Sequence, residues 1–290
     1  MSIYEKVKSF LSPYYSKEEI LSNNRPFVTL TYAQSLDGKL SGEGGKQLRL
    51  SCEESMIMTH RLRIYHDGIM VGIGTILNDD PRLTARLLED GEEIKINQPQ
   101  PIILDSKLRF PLSAKLLTSN ECKSPWIFTS HSCDNDKRKV LEQTGAKVIT
   151  INSDQNGQLS LMNLLSILHS PPFSIKRLMV EGGAGIIQSF LKSGLTDLLI
   201  ITIAPLFAGP NTISATGNDK KLTKVRSNYK KSYPVKYKIR ISLDKEKVFK
   251  IFYSSISSII EPHVEFVHFL FNFHQFQNPF SGQVTHLLTR

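Results

Sequence analysis

The sequence predicts one α/β domain built on a largely parallel sheet, followed by a tail of different character. Three observations carry this. Short apolar runs alternate with amphipathic stretches across residues 26–205. Those runs are apolar nearly throughout, as in Ile69-Met70-Val71, which suits strands covered on both faces. One of them, Arg177 to Val180, runs straight into Glu181-Gly182-Gly183-Ala184-Gly185, a strand end turning sharply into a helix.

Taken in order, a short amphipathic helix is expected from Ile3 to Leu11, then a polar linker through Asn23 and Asn24. A first buried strand follows over Arg25 to Ala33, rich in β-branched and aromatic residues, and Ser35-Leu36-Asp37-Gly38 breaks it. Ser41 to Gly45 reads as a glycine-rich loop, and Cys52 to Tyr65 has helical periodicity. Asp67 to Gly72 is the second strand, and Thr75 to Asp80 is a turn or short helix stopped by Pro81. Further strands are expected at Pro101 to Asp105, Trp126 to Thr129 and Lys147 to Ile151, with a charged helix from Asp134 to Thr144. A helix from Leu159 to His169 ends near Pro171-Pro172, a second follows the glycines to Lys192, and Asp197 to Ala204 supplies another strand. No internal repeat is present.

Composition narrows the function. The chain has 290 residues and no apolar stretch of membrane-spanning length, so a soluble protein is expected. Cys52, Cys122 and Cys133 are widely spaced, with no paired-cysteine motif, which argues against a disulfide framework or a zinc site and for a reducing cytosol. Net charge is +9, but residues 220–250 alone hold twelve Lys/Arg against Asp244 and Glu246. Residues 1–219 hold 23 basic and 23 acidic side chains, so the main body implies no nucleic-acid partner.

The glycine turn is the expected cofactor seat. Gly182, Gly183 and Gly185 open dihedrals closed to other residues and let a ligand approach the backbone, while the next helix presents unpaired N–H groups. Such a turn also serves plain chain reversal, and Gln188 stands where the dinucleotide fingerprint would place another glycine. In a parallel sheet, Ala33 to Gly38, Gly72 to Thr75, Asp105-Ser106 and the glycine turn gather at one edge and frame a shared cleft. Lys46, Arg63 and Arg86 are each set among motif residues, so a phosphorylated small molecule is a reasonable ligand. Each arginine taken alone also fits a surface ion pair.

In this order, Thr29-Leu-Thr-Tyr-Ala-Gln-Ser-Leu-Asp-Gly38, Met58-Thr-His-Arg-Leu-Arg63, His66-Asp-Gly-Ile-Met-Val-Gly-Ile-Gly-Thr-Ile-Leu-Asn-Asp-Asp-Pro81 and Val180-Glu-Gly-Gly-Ala184 resemble the riboflavin-biosynthesis reductases. The stand-alone fungal members are the most similar in wording, and the resemblance spans about residues 25–215. It implies a dihydrofolate-reductase-like three-layer fold with a central, mostly parallel sheet, usually a cytoplasmic homodimer, and NADPH as hydride donor. It also implies the reaction: a ribosylamino-pyrimidinone 5′-phosphate opens to a Schiff base and is reduced at the sugar carbon to the ribitylamino form. By position, Ala33, Thr75, Asp79, Ser106, Gly182, Gly183, Ala184, Gly185 and Ile186 match cofactor contacts. Arg63, Leu83, Arg86 and Glu181 match substrate contacts, and Lys46 falls in a loop of differing length. Glu181 and Asp37 are the two candidate acids, with Asp37 also suited to shaping its turn.

Two alternatives stay open: another pyridine-nucleotide reductase of the same fold, and a non-catalytic binding protein with a basic tail. The zinc-deaminase signature found in fused relatives is missing, so no deaminase activity is expected. The expected divisions are a helix and linker over residues 1–24, a reductase domain over 25–219 and an unmatched tail over 220–290. The tail turns from lysine-rich to aromatic, with eight of the fifteen phenylalanines between Phe249 and Phe280. Its His263, His268 and His274 share no helical face, so no metal site is expected. Val235 to Ile241 alternates like a closing strand; a packed or disordered apolar segment, or translation of a retained intron or shifted frame, are the other readings.

Overall fold

The computed structural model describes residues 2–15, 24–89, 97–154 and 157–217, with the backbone alone of 241–243, 247–249 and 265–267. Seven strands form a sheet in the order β7-β1-β6-β2-β3-β4-β5, every neighbouring pair parallel. They are β1 (Phe27–Ser35), β2 (Gly68–Gly72), β3 (Gln100–Leu104), β4 (Trp126–Ser130), β5 (Lys147–Ile151), β6 (Arg177–Val180) and β7 (Leu198–Ala204). Three-residue strands β8 (Ile241–Leu243) and β9 (Lys247–Phe249) pair antiparallel, and β10 (Glu265–Val267) runs parallel beside β7. Apart from Ile241, the strand expected at Val235 to Ile241 lies outside the described residues, as do His263, His268 and His274.

Alternation of side chains along each strand builds two cores. In β2, Ile69 and Val71 join one core with Leu11 of α1 (Ile3–Tyr15), Ile57 and Leu62 of α2 (Glu53–Ile64) and, farther along, Leu141 of α5 (Asn135–Gln143). Met70 joins the opposite core with Leu164 and Leu168 of α6 (Leu161–His169) and Ile187 and Phe190 of α7 (Ala184–Ser193). Helices therefore cover both faces, which is the three-layer arrangement expected. Two short helices, α3 (Ile73–Asp79) and α4 (Lys115–Thr118), complete the set.

Boundaries follow local chemistry. Helix α1 opens on a capping box: Ser2 Oγ accepts the Glu5 N–H at 3.1 Å and Glu5 Oε2 accepts the Ser2 N–H at 2.8 Å. It runs past the expected end at Leu11, through Pro13, because Val7, Leu11 and Tyr15 lie on one buried face. Strand β1 starts two residues later than expected, since Arg25 is engaged beside it in a two-pronged pair with Asp197 at 2.6 and 2.7 Å. Asp134 and Ser160 cap α5 and α6 by accepting backbone N–H groups. Helix α4 has only four residues and no capping side chain, so it left no periodic trace in the sequence.

A buried relay fastens α1 and α2 to β1. The Leu62 carbonyl can only accept, so His66 Nδ1 donates to it at 2.6 Å; His66 Nε2 then accepts from Thr29 Oγ1 at 2.8 Å. Thr29 in turn accepts from the Tyr15 hydroxyl at 3.0 Å. The relay needs a neutral imidazole, and burial, with Arg177 nearby, pushes the His66 pKa down to about 4. Between pH 6.5 and 4 the unfolded chain binds a proton here that the folded chain refuses, so this contribution is complete above pH 6.5 and is lost on acidification. Urea unfolding from pH 7 to pH 4.5 is expected to show His66→Asn losing stability less steeply than the wild type, by up to about 1.4 kcal/mol per pH unit. Equal slopes would show that His66 is not the sensor.

Candidate active site

The carboxyl ends of β1, β6, β2 and β3 stand side by side in the sheet order, at the point where the chain reverses direction across the sheet. A cleft of about 1590 Å³ opens there. Of the residues singled out from the sequence, Ala33, Lys46, Thr75, Asp79, Ser106, Glu181 and the Gly182–Ile186 turn all line it. The four strand ends expected to converge do so.

Glycine is required at the turn between β6 and α7. Gly182 and Gly183 have φ of +130° and +81°, and a Cβ on Gly183 would stand 3.2 Å from Thr75 Oγ1. Gly183 caps α7 without a side-chain bond, as Gly72 does for α3, so both helix N-termini face the cleft without a capping side chain. The Gly72 N–H donates to the Gly182 carbonyl at 3.2 Å, tying the two turns together.

Glu181 lines the cleft, and its carboxylate is gripped from behind. Arg63 donates through Nε at 3.0 Å and Nη2 at 2.6 Å, while its Nη1 donates to the Thr84 carbonyl at 2.7 Å. Arg63 is 7% exposed, so all three arms of the guanidinium are used inside the protein. The sequence reading has Arg63 as a direct substrate ligand; its guanidinium is engaged by Glu181 and Thr84, and Arg63 is not among the residues lining the cleft.

Asp37, Leu83 and Arg86 also lie off the cleft wall. Asp37 accepts from Ser35 Oγ and from the backbone N–H groups of Ala208 and Gly209 at 3.0 and 2.9 Å. Those bonds, the serine's first, hold its pKa down at about 2. The carboxylate is committed to fastening the loop after β7, so of the two acids nominated from the sequence only Glu181 lines the cleft. Leu83 is buried with φ of +55°, and Arg86 is exposed, its Nη1 donating to Thr84 Oγ1 at 3.0 Å.

Several lining residues were not singled out from the sequence. Tyr32 faces the cleft from β1, its hydroxyl kept protonated because burial pushes its pKa up to about 12. Arg109 lies three positions after Ser106, so a basic residue following that serine was a readable clue. Gln158, Leu161 and Met162, at and just before the start of α6, and Ser189 and Lys192 of α7 also line the cleft, brought there by helices that share a core. Burial raises the pKa of Asp79 at the end of α3. Among the described residues no cluster of His, Cys, Asp or Glu has metal-binding geometry, and no helix is long and apolar enough to cross a membrane.

Comparison with known proteins agrees with this geometry. The family model described as RibD C-terminal domain matches residues 26–239, running past the boundary expected at residue 219. The chain is 39% identical over 221 residues to the 2,5-diamino-6-ribosylamino-4(3H)-pyrimidinone 5′-phosphate reductase of Debaryomyces hansenii, covering 72% of this chain and 86% of that one. The protein of the same name from Archaeoglobus fulgidus is 39% identical over 189 residues, covering 64% and 83%. Among solved structures, the riboflavin biosynthesis reductase Rib7 of Saccharomyces cerevisiae superposes with a TM-score of 0.59 at 29% identity, covering 74% of this chain and 90% of that one.

Proposed function

Since the chain belongs to the RibD C-terminal domain family, we propose that it is the NADPH-dependent reductase of 2,5-diamino-6-ribosylamino-4(3H)-pyrimidinone 5′-phosphate in riboflavin biosynthesis, yielding the ribitylamino product. The observation that carries this is the convergence of four adjacent strand ends on one cleft, with a glycine turn on one wall and an arginine-held carboxylate beside it.

The residues present fit a pyridine dinucleotide. Nothing lies within 4 Å of the position a Cβ would take on Gly74, Gly182 or Gly185, so a diphosphate can approach the backbone at the α7 N-terminus. Thr75 and Asp79 flank that seat, and Ala33 with Tyr32 lines the wall beside β1. At the end of β3, Ser106 and Arg109 suit a 2′-phosphate, because the Arg109 side chain is 57% exposed and only loosely tethered, 4.0 Å from Asp105. When bound, the nicotinamide supplies the hydride, and the protein's task is placement.

For the substrate, Glu181 would move a proton from the glycosylamine nitrogen to the ribose ring oxygen, so that the ring opens and the sugar carbon becomes electrophilic. Arg63 fixes the direction in which that carboxylate points. Lys46 on the cleft wall and Arg86, exposed outside that wall on the turn held by Arg63, supply cations for the 5′-phosphate, and Leu83 supports the turn that carries Arg86. The homodimeric, cytoplasmic state implied by the family is part of the same proposal, and its dimeric part is readable by sedimentation of the purified chain.

Purified protein with the ribosylamino substrate should consume NADPH, seen as loss of nicotinamide absorbance, and should do so poorly with NADH. Arg109→Ala should raise KM for NADPH about 10-fold or more, the value of a charge-assisted hydrogen bond, and leave KM for NADH within about 2-fold. Substrate-independent oxidation, or an equal effect on both coenzymes, would contradict these assignments.

A further inference from the structure

We propose that His60 is a positioning residue for the phosphate end of this site, a buried imidazole that holds the Leu83–Arg86 turn in register with Glu181. This rests on the reading above, in which Arg86 meets the substrate phosphate.

The turn needs holding. Asp80 and Leu83 both adopt left-handed backbone, with φ of +41° and +55°, each at a cost of about 1 kcal/mol or more for a residue with a side chain. Anchors surround the stretch that follows. The Thr84 carbonyl accepts from Arg63 Nη1 at 2.7 Å. Ala85 exchanges two hydrogen bonds with the Gln98 side chain, at 2.7 and 3.0 Å. The Arg86 N–H donates to His60 Nδ1 at 2.9 Å, and the backbone of Thr84 also bonds to the imidazole.

His60 and Arg63 stand three residues apart on α2, hence on one helical face. Arg63 holds the cleft carboxylate and the Thr84 carbonyl; His60 holds the N–H of the very next peptide. One rigid helix thereby sets the distance between the acid and the phosphate cation. Histidine suits the post because a backbone N–H can only donate, so Nδ1 must stay unprotonated as an acceptor. His60 is 1% exposed, and its burial, with Arg63 and then Arg86 nearby, pushes its pKa down to about 3, so the acceptor persists across the physiological range.

Asparagine places an oxygen where Nδ1 sits, whereas leucine removes the acceptor of the part-buried Arg86 N–H. The test is kcat/KM for the phosphorylated substrate and for its dephosphorylated form in wild type, His60→Leu and His60→Asn. The wild type should prefer the phosphorylated form. His60→Leu should shrink that preference about 10- to 100-fold, mainly through KM, and His60→Asn should restore most of it. A wild type without preference overturns the phosphate reading and the His60 role together. A wild type with preference that His60→Leu retains, or a loss that His60→Asn fails to restore, overturns the His60 role alone. Should His60→Leu fail to fold, ¹⁵N NMR of the wild type decides: an Nδ1 resonance of a neutral acceptor, unchanged from pH 8 to 5, is expected. A titration near pH 6.5 would overturn the role.

Discussion

Glu181→Gln is expected to lower kcat by about 10²- to 10³-fold while the Kd for NADPH changes by less than about 3-fold. Gln keeps the shape and one acceptor of the carboxylate but cannot take up and release a proton, so the loss falls on turnover. The same change leaves Arg63, only 7% exposed, without its counter-charge. Breaking a buried pair by neutralising one partner costs about 3–5 kcal/mol at the upper end, so the variant should also melt earlier. The two effects can be separated. Replacing both members, Arg63→Leu with Glu181→Leu, removes the stranded charge and should recover much of the stability while leaving turnover abolished. An unchanged kcat in Glu181→Gln would remove this residue from the chemistry. Recovery of activity in the double variant would do the same.

The second large effect concerns the glycine turn, where fold and ligand demand glycine at different positions. Gly183→Val forces a β-branched residue to φ of +81° and drives its Cβ against Thr75 Oγ1. A stability loss of about 2–4 kcal/mol and loss of NADPH affinity by more than about 100-fold are expected. Gly185 differs: it lies in α7 with an ordinary backbone and open space around its missing Cβ. Nothing in the fold requires glycine there, and Gly185→Ala should hold or raise the melting temperature through helix propensity. If that open space is where the diphosphate meets the backbone, the same variant should raise the Kd for NADPH by about 10-fold or more. A stable Gly185→Ala with unaltered affinity would move the diphosphate elsewhere.

What could be read from the chain divides by whether the signal is local. Strands β1 to β7 announced themselves through short apolar runs, and the longer helices between them through periodicity, though the Ser160 cap that starts α6 at Leu161 rather than Leu159 went unread. Helix α4 was too short to show a period, and α1 overran its expected end because Tyr15 is fixed by tertiary contacts with Thr29 and Tyr65. The cleft residues Thr75, Ser106 and Gly183 were legible because each follows directly on a strand end, where a parallel sheet must place its ligands. The division of labour among the charged groups was not. Arg63 and Glu181 are 118 positions apart, and Asp37 meets the Ala208 and Gly209 N–H groups only through folding. No spacing rule distinguishes an arginine that grips a carboxylate from one that awaits a phosphate. His60 escaped notice for the same reason: its partner, the Arg86 N–H, is a backbone group 26 residues away.

If one cleft brings a nicotinamide ring and a sugar carbon into contact, an isotope placed on the nicotinamide must pass to that carbon. The enzyme should be run with NADPH deuterated at the transferable C4 position and the ribosylamino-pyrimidinone phosphate, and the product examined by mass spectrometry and NMR. The structure predicts one deuterium per molecule, located on C1′ of the new ribityl chain. A product carrying no deuterium there, formed while NADPH is consumed, would contradict it.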